Sequence, residues 1–131
     1  MSNLNSIIYV DQSEVLNGKL DDLKKNIGEL ISFVETKESR IISYNVYFSE
    51  NNNTMTIINI HPDSSSLEYH MKVGGPVFTK FKDLIRLLRI DIYGNLCDNL
   101  IEQLQKKAQM LGNGKVFIHR YYGGFGRFGL F

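Results

Sequence analysis

The spacing of apolar residues predicts an amphipathic helix near the start of the chain. From residue 19 onward, apolar positions recur at steps of three, four, three, one and three residues, which keeps them on one face of an α-helix. These positions are Leu20, Leu23, Ile27, Leu30, Ile31 and Val34. Asp21 and Asp22 lie in the first turn, where the helix dipole favours negative charge. The preceding residues 6–11 are β-branched and aromatic, and they predict a strand.

Alternation with a period of two predicts a β-hairpin in the next segment. Residues 40–49 and 54–61 each alternate in this way, so that successive side chains point to opposite faces of a sheet. In the first of these runs, Ile42, Tyr44, Val46 and Phe48 share one face. Three asparagines at 51–53 separate the runs and tolerate the left-handed conformations of a tight turn.

A second helix is predicted after Pro62, which cannot continue a central strand. Ser65 and Glu68 match the capping box that begins many helices. The apolar stripe then extends to Phe81, and the run Gly74-Gly75-Pro76 interrupts it. Because proline removes a hydrogen-bond donor and clashes with the preceding turn, we expect a kink or two short helices.

The remaining pattern completes an α+β fold. Residues 87–93 predict a fourth strand, a third helix capped by Asp98 extends to Leu111, and residues 115–122 predict a fifth strand. The first six elements have the order β-α-β-β-α-β, which is the ferredoxin-like pattern, and an additional α-β unit follows. We therefore expect an antiparallel sheet with helices on one face.

Length and composition restrict the possible partners. The 131 residues suit a single domain, which we assign to 1–122, followed by a tail at 123–131 with four glycines and three phenylalanines. This tail could close over a pocket, cross to a partner subunit or be disordered. Fifteen basic and fourteen acidic residues nearly cancel, so a nucleic-acid partner is not expected.

The chain is expected to be a cytoplasmic protein. No apolar stretch approaches the ~20 residues of a membrane span, and the N-terminus does not resemble a signal peptide. Cys97 is the single cysteine, which excludes an internal disulfide and a cysteine-rich metal site. No metal and no cofactor are predicted.

The strands are apolar on both faces, and this predicts a homodimer. Ile8 and Val10 lie opposite Ile7 and Tyr9, and the third strand carries apolar residues on its second face as well. A soluble monomer rarely leaves such a surface bare, and the same face of a second copy would cover it symmetrically. Alternatively, the additional α-β unit covers this face within one chain.

The run from Tyr44 through Leu111 resembles the dimeric α/β barrel superfamily, in the branch near the antibiotic-biosynthesis-monooxygenase domains. The specific part is IHPDSSSLEYHMKVGGPVFTKFKDLI, in which a strand, a Pro-Asp-Ser junction, a helix and a Gly-Pro break follow one another. The resemblance implies the fold and dimerisation. It also implies a choice of activities, since this fold hosts cofactor-free monooxygenases, haem-degrading enzymes, isomerases, decarboxylases and binding proteins.

His70 is the candidate catalytic residue. It lies beside the apolar stripe of the second helix, where it could enter the space between helix and sheet and act as an acid or base near neutral pH. The alternative is a half-buried histidine satisfied by one hydrogen bond. Candidate ligand-binding residues are polar or aromatic side chains within or next to the strands. They are Tyr44, Asn59, His61, Tyr93 and His119, each of which could instead serve packing or capping.

Two functions remain open from the sequence. One is a cofactor-independent monooxygenase-like enzyme acting on a small aromatic or carbonyl-containing molecule, with His70 as its acid-base group. The other is a non-catalytic dimer that binds a small molecule or haem. The chain contains no tryptophan, whereas the monooxygenases and haem-degrading enzymes it resembles use an asparagine-tryptophan arrangement. None of their functional residues is therefore transferred to this chain.

Overall fold

A computed structural model describes residues 6–127, which form one five-stranded sheet and three helices. The strands are β1 (Ile7–Val15), β2 (Ser43–Phe48), β3 (Thr54–His61), β4 (Ile85–Tyr93) and β5 (Gly112–His119). The helices are α1 (Leu20–Lys37), α2 (Ser64–Phe78) and α3 (Asp98–Leu111), and a 3₁₀ turn at Thr79–Phe81 follows α2. Predictions that concern residues 1–5 and 128–131 lie outside the described residues.

The strand order confirms the predicted fold class. It is β2-β3-β1-β4-β5, with antiparallel neighbours except for the parallel pair β4 and β5. The first four strands with α1 and α2 form the ferredoxin-like core, and α3 connects β4 to the added strand β5. Gly112 lets β5 approach β4 closely, because a Cβ at this position would lie 2.6 Å from the backbone nitrogen of Leu87.

The helices cover one face of the sheet. On β3 the side chains alternate strictly, and Met55, Ile57, Asn59 and His61 are all buried beneath the helices. α3 packs on this same side, since Lys107 of α3 contacts the inward-facing Tyr9. The alternative that the added α-β unit covers the second face is therefore wrong for the part of the chain described.

The second face of the sheet remains open within the described chain. It carries half-buried aliphatic side chains along its centre and exposed aromatic side chains towards its edges. The aliphatic members are Ile8, Val10, Ile58 and Ile60, and the aromatic members are Tyr47, Tyr93 and Phe117. We call this surface the open face. The partner predicted to cover it stays a prediction.

The ends of the elements differ from the sequence prediction in physically simple ways. α2 continues through Pro76, whose fixed φ is helical, and ends two residues later, so the chain forms neither two short helices nor an early stop. Asp63, not Ser65, caps α2: its Oδ1 accepts a hydrogen bond from the backbone N–H of Ser66 at 3.0 Å. Cys97 precedes α3, and Asp98 is the first helical residue.

Candidate active site

A buried lysine on α3 meets two polar side chains from the inner face of β1. Nζ of Lys107 donates a hydrogen bond to the hydroxyl of Tyr9 at 2.6 Å, and this hydroxyl donates to Oδ2 of Asp11 at 2.7 Å. Lys107 Nζ lies 3.7 Å from the same carboxylate oxygen and 3.9 Å from the centre of the Phe78 ring. Strand alternation explains the arrangement, because Tyr9 and Asp11 are two residues apart and so share the inner face.

Burial shifts the proton affinities of all three groups. It lowers the pKa of Lys107 from the usual value for an amine, although the nearby Asp11 opposes this shift. It raises the pKa of the Asp11 carboxyl, against the opposing effect of Lys107. It also raises the pKa of the Tyr9 hydroxyl, to which the charge of Asp11 adds. Opposite shifts of a neighbouring acid and base are typical of sites that transfer protons.

Lys107 and Asp11 line a small cavity between the sheet and the helices. Its volume is about 20 Å³, which is room for one water molecule. Ser13 also lines it, and the Ser13 hydroxyl is buried with no hydrogen-bond partner. Most of the other lining side chains are apolar, and they include Tyr44 and Phe78. An unpartnered hydroxyl, an amine and a carboxyl therefore converge on one otherwise apolar space.

His70 of α2 is held by a carboxylate from the end of α1. Nδ1 of His70 lies 2.8 Å from both carboxylate oxygens of Glu38, and both side chains are almost completely buried. The ring of His70 lies 5.5 Å from that of Phe78 and 6.0 Å from that of Tyr44, both of which line the cavity. His70 itself is not among the described residues that line it. Because Glu38 occupies Nδ1, the other ring nitrogen, Nε2, is the one available to a substrate.

His61 is fixed between two polar neighbours beside His70. Its Nε2 lies 2.8 Å from Oδ1 of Asn59 and its Nδ1 lies 2.8 Å from Oγ of Ser66. Since the amide oxygen can only accept, Nε2 carries the proton and Nδ1 accepts from the serine hydroxyl. Burial, together with the nearby His70, lowers the pKa of His61 to about 3. His61 is therefore neutral. The amide nitrogen of Asn59, Nδ2, is buried without a hydrogen-bond partner.

Tyr44 separates this interior from an open pocket at the junction of α1 and β2. The open pocket has a volume of about 290 Å³ and is lined by residues 31–44, including Glu38 and Tyr44. Tyr44 lines the inner cavity as well. Burial raises the pKa of the Tyr44 hydroxyl, so this side chain stays neutral. A rotation of Tyr44 would connect the two spaces.

The other two predicted residues, Tyr93 and His119, lie at a separate place. Their rings stack on the open-face side with centres 4.4 Å apart. Nε2 of His119 donates to Oδ1 of Asp91 at 2.8 Å, and the two-pronged hydrogen bond from Arg89 holds the pKa of that carboxyl below its usual range. The tail segment 121–126 closes one side of a pocket of about 350 Å³ beside them. The structure thus brings His70, Tyr44, Asn59 and His61 together and leaves Tyr93 and His119 apart.

Four residues of the candidate site were not predicted from the sequence: Lys107, Asp11, Tyr9 and Glu38. A signal for Lys107 existed, because it occupies a position on the apolar stripe of α3 that otherwise consists of Leu100, Leu104, Ala108 and Leu111. Asp11 likewise continues the alternation that begins at Ile7 and Tyr9. Glu38 gave no comparable signal, since the helix ends there and only the tertiary fold brings it to His70.

Residues 6–127 contain neither a metal-binding group of side chains nor a helix that could span a membrane. Within that range, no group of three or more histidine, cysteine, aspartate or glutamate side chains is placed to hold a metal ion. None of the three helices there has the length and apolar character that would take it across a membrane.

Comparisons with known proteins identify the fold. No family model matches the sequence, and no curated protein matches it. Among solved structures, MupZ from Pseudomonas fluorescens superimposes with a TM-score of 0.72 at 15% identity, over 94% of this chain and 95% of that one. SnoaB from Streptomyces nogalater, a cofactor-independent oxygenase, gives a TM-score of 0.60 at 12% identity, over 70% and 93% of the two chains. This chain therefore shares the α+β fold of these proteins.

A third solved structure shares the same fold. A Bacteroides thetaiotaomicron protein named after the antibiotic biosynthesis monooxygenases has a TM-score of 0.52 at 18% identity, over 63% of this chain and 85% of its own. The structural neighbours of this chain thus include a cofactor-independent oxygenase and a protein named for the antibiotic biosynthesis monooxygenases. At these identities the likeness concerns the fold, and the chemistry depends on the residues of this chain.

Proposed function

We propose that this protein is an enzyme that removes a proton from a small carbonyl-containing or phenolic molecule in the space between its sheet and its helices. The observation that carries the proposal is that two buried acid-base units lie next to the same aromatic side chain, Phe78, which lines the inner cavity. His70, which pairs with Glu38, has its ring centre 5.5 Å from that of Phe78, and Nζ of Lys107 lies 3.9 Å from the same ring centre. Lysine and glutamate side chains are rarely buried unless they are paired, and buried groups with perturbed pKa values are candidates for functional sites.

The two units suit different parts of such a reaction. Nε2 of His70 would accept the proton from the substrate, and Glu38 would stabilise the resulting imidazolium. Negative charge then develops on the substrate oxygen, where Lys107 offers a cation and Ser13 offers a hydroxyl donor without another partner. Asn59 and His61, which lie beside His70, would supply neutral hydrogen-bonding groups.

The substrate would enter from the pocket at the α1–β2 junction. The inner cavity of about 20 Å³ holds no organic molecule until its wall moves, and Tyr44 is the wall that it shares with the outer pocket. Rotation of Tyr44 would admit a planar molecule next to Lys107. This step would also exclude bulk water once Tyr44 returned, which strengthens electrostatic interactions in the site.

In a more specific version of the proposal, dioxygen oxidises the substrate after the proton has been removed. The anion left by proton removal is electron-rich and could transfer one electron to dioxygen, after which the two radicals combine to a peroxide. Loss of water from the peroxide of a CH₂ group leaves a carbonyl, so that CH₂ and O₂ give C=O and H₂O. Support for this second step comes from the fold that the chain shares with the cofactor-independent oxygenase described above.

Hydrogen exchange tests the proton-transfer step without knowledge of the natural substrate. A panel of small ketones and phenols is incubated with the protein in D₂O, and loss of the C–H signal next to the oxygen-bearing carbon is followed by NMR. We expect exchange with at least one compound, and His70→Gln should slow it by about 100-fold. His119→Gln is the matched control, because His119 lies outside the site, and it should leave the rate unchanged.

The same panel decides between the enzyme and the binding protein. A non-catalytic binder would hold a compound with equal affinity in His70→Gln and would exchange no hydrogen. Haem as the ligand would change its absorption spectrum on mixing, and an unchanged spectrum excludes it. For compounds that exchange, an oxygen electrode and ¹⁸O₂ labelling of the product test the oxidation step. Hydrogen exchange without oxygen consumption would contradict the proposed oxidation step and would still support the proposed proton transfer.

The enzyme is proposed to work as a homodimer in the cytoplasm. Half-buried Ile8, Val10, Ile58 and Ile60 line the centre of the open face, where a second copy would complete the barrel. Cys97 is exposed and free, which suits a reducing compartment.

A further inference from the structure

We propose that Lys107 is a covalent catalytic residue, whose amine condenses with the carbonyl group of the substrate to form an imine. This inference rests on the proposed proton-transfer function and deepens it, because it restricts the substrate to aldehydes and ketones. The observation behind it is an amine enclosed in the protein interior, in contact with a hydroxyl and a carboxyl, on the wall of a cavity.

Lys107 differs from the other lysines in the described chain. It is 8% exposed, whereas its neighbour Lys106 lies on the outer surface of α3 and pairs loosely with Glu102 at 3.8 Å. An ammonium ion in an apolar interior loses its hydration, and burial accordingly lowers the pKa of Lys107. A larger share of this amine is thus present in the neutral form that attacks a carbonyl carbon.

Tyr9 and Asp11 are placed to move the protons that imine formation requires. Nitrogen of Lys107 attacks the carbonyl carbon, the π-bond electrons move to oxygen, and a carbinolamine forms. The nitrogen then loses a proton and the hydroxyl gains one, so that water leaves and a C=N bond replaces C=O. The Tyr9 hydroxyl contacts both the nitrogen and the carboxyl of Asp11, and burial raises the pKa of that carboxyl, which suits it to donate the proton.

An imine would also assist the step assigned to His70. A protonated imine withdraws electrons from the adjacent carbon more strongly than a carbonyl group does. Removal of a proton from that carbon gives a neutral enamine instead of an anion. Both His70 and Lys107 lie next to the Phe78 ring, at 5.5 Å between ring centres and 3.9 Å from Nζ to the ring centre. A substrate held on Lys107 would therefore lie next to Phe78, whose ring also neighbours His70.

Reductive trapping tests the inference on the full-length protein. Benzaldehyde is the probe, because it forms imines but has no hydrogen on an adjacent carbon for His70 to remove. The protein is incubated with benzaldehyde and sodium borohydride near pH 7, and the labelled lysines are located by peptide mass spectrometry. We expect one benzyl group per chain, on Lys107, at a rate about tenfold or more above that of Lys106. Equal labelling of exposed lysines, with none at Lys107, would overturn the inference.

Variants distinguish a lysine that forms no imine from a lysine that the probe cannot reach. They also distinguish failure of the imine inference from failure of the proposed function. Lys106→Arg should keep the label, Lys107→Arg should lose it, and Tyr44→Ala should accelerate it by opening the wall. If neither the wild type nor Tyr44→Ala is labelled at Lys107, the imine is excluded. His70→Gln should be labelled like the wild type, so a failure of hydrogen exchange and a failure of trapping are distinguishable. Exchange without trapping would leave Lys107 a purely electrostatic role.

Discussion

Glu38 places both of its carboxylate oxygens 2.8 Å from Nδ1 of His70, although 32 residues separate them in the chain. The carboxylate comes from the residue that ends α1, and the imidazole comes from the middle of α2. Both side chains are nearly inaccessible to water, so the interaction joins the two helices across the interior. The same contact fixes the ring orientation that the proposed reaction requires.

Glu38→Gln should weaken the fold as well as the proposed activity. Glutamine keeps the shape but offers a neutral oxygen in place of a carboxylate, and the hydrogen bond to His70 loses its charge assistance. We expect the free energy of unfolding to fall by about 1–3 kcal/mol in urea titration. Glu35→Gln, one turn earlier on the exposed surface of α1, is the control and should change it by less than about 0.5 kcal/mol. Equal effects of the two substitutions would contradict the buried pairing.

Lys107 and Asp11 should be energetically coupled. Removal of one partner leaves the other charge buried and uncompensated, whereas removal of both avoids this penalty. In a double-mutant cycle with Lys107→Met and Asp11→Asn, we expect a coupling energy of about 1–3 kcal/mol. The exposed pair Glu102–Lys106 on the same helix provides the comparison and should show less than about 0.5 kcal/mol. Additive effects of the first pair would show that the two groups do not interact.

His61 should make the protein sensitive to mild acid. Its pKa is about 3 in the folded protein against an ordinary 6.5, so below pH 6.5 the unfolded chain binds a proton that the folded chain does not. The free energy of unfolding must then fall as the pH falls, by up to about 1.4 kcal/mol per pH unit for one group. Urea titrations between about pH 4.5 and 7 should show this slope, and His61→Gln should flatten it.

Asp63→Asn is the control for the pH dependence of stability that is attributed to His61. The hydrogen bond from Arg40 lowers the pKa of Asp63 to about 2, so the stability linked to it is lost only at a pH below the range measured. Asp63→Asn should accordingly lower the stability without changing the slope between about pH 4.5 and 7. A His61→Gln variant with the wild-type slope would assign the acid sensitivity to another group.

The open face should control the oligomeric state. We expect the wild-type protein to sediment at twice its chain mass of 15.1 kDa at low micromolar concentration. Ile58→Lys places a charge at the centre of the open face and should produce the 15.1 kDa particle. Ile31→Lys, on the exposed surface of α1, should leave the mass unchanged. A wild-type protein that sediments as a single chain would rule out the dimer.

The sequence was sufficient for the fold because the signals for it are periodic and local. The stripe in α1 and the alternation in β3 are repeated patterns that a single element displays by itself. Of the two alternatives predicted at Pro76, two short helices are wrong, because a proline near the end of a helix costs one hydrogen bond and its φ already matches the helix. β1 extends to Val15 although Gln12, Ser13 and Glu14 are polar, because pairing with β3 and β4 outweighs their low strand propensity.

The candidate site was predictable only in part, because it depends on contacts between distant segments. His70 and His61 carried a chemical signal of their own, and both lie in the interior. Tyr93 and His119 carried the same kind of signal, but the alternation of β4 and β5 directs them away from the helices. Lys107 meets Tyr9 across 98 residues, a distance along the chain at which no periodic pattern gives information.

The position of Lys107 on α3 has a consequence for how such a protein changes over time. Glu38 and His70, like Tyr9 and Asp11, belong to the part of the chain up to β4, which forms the ferredoxin-like unit. The amine arrives only with the appended helix, which simultaneously seals the interior with Leu100, Leu104 and Leu111. New reactivity could thus be acquired by extending the polypeptide, with no replacement needed among the residues already present.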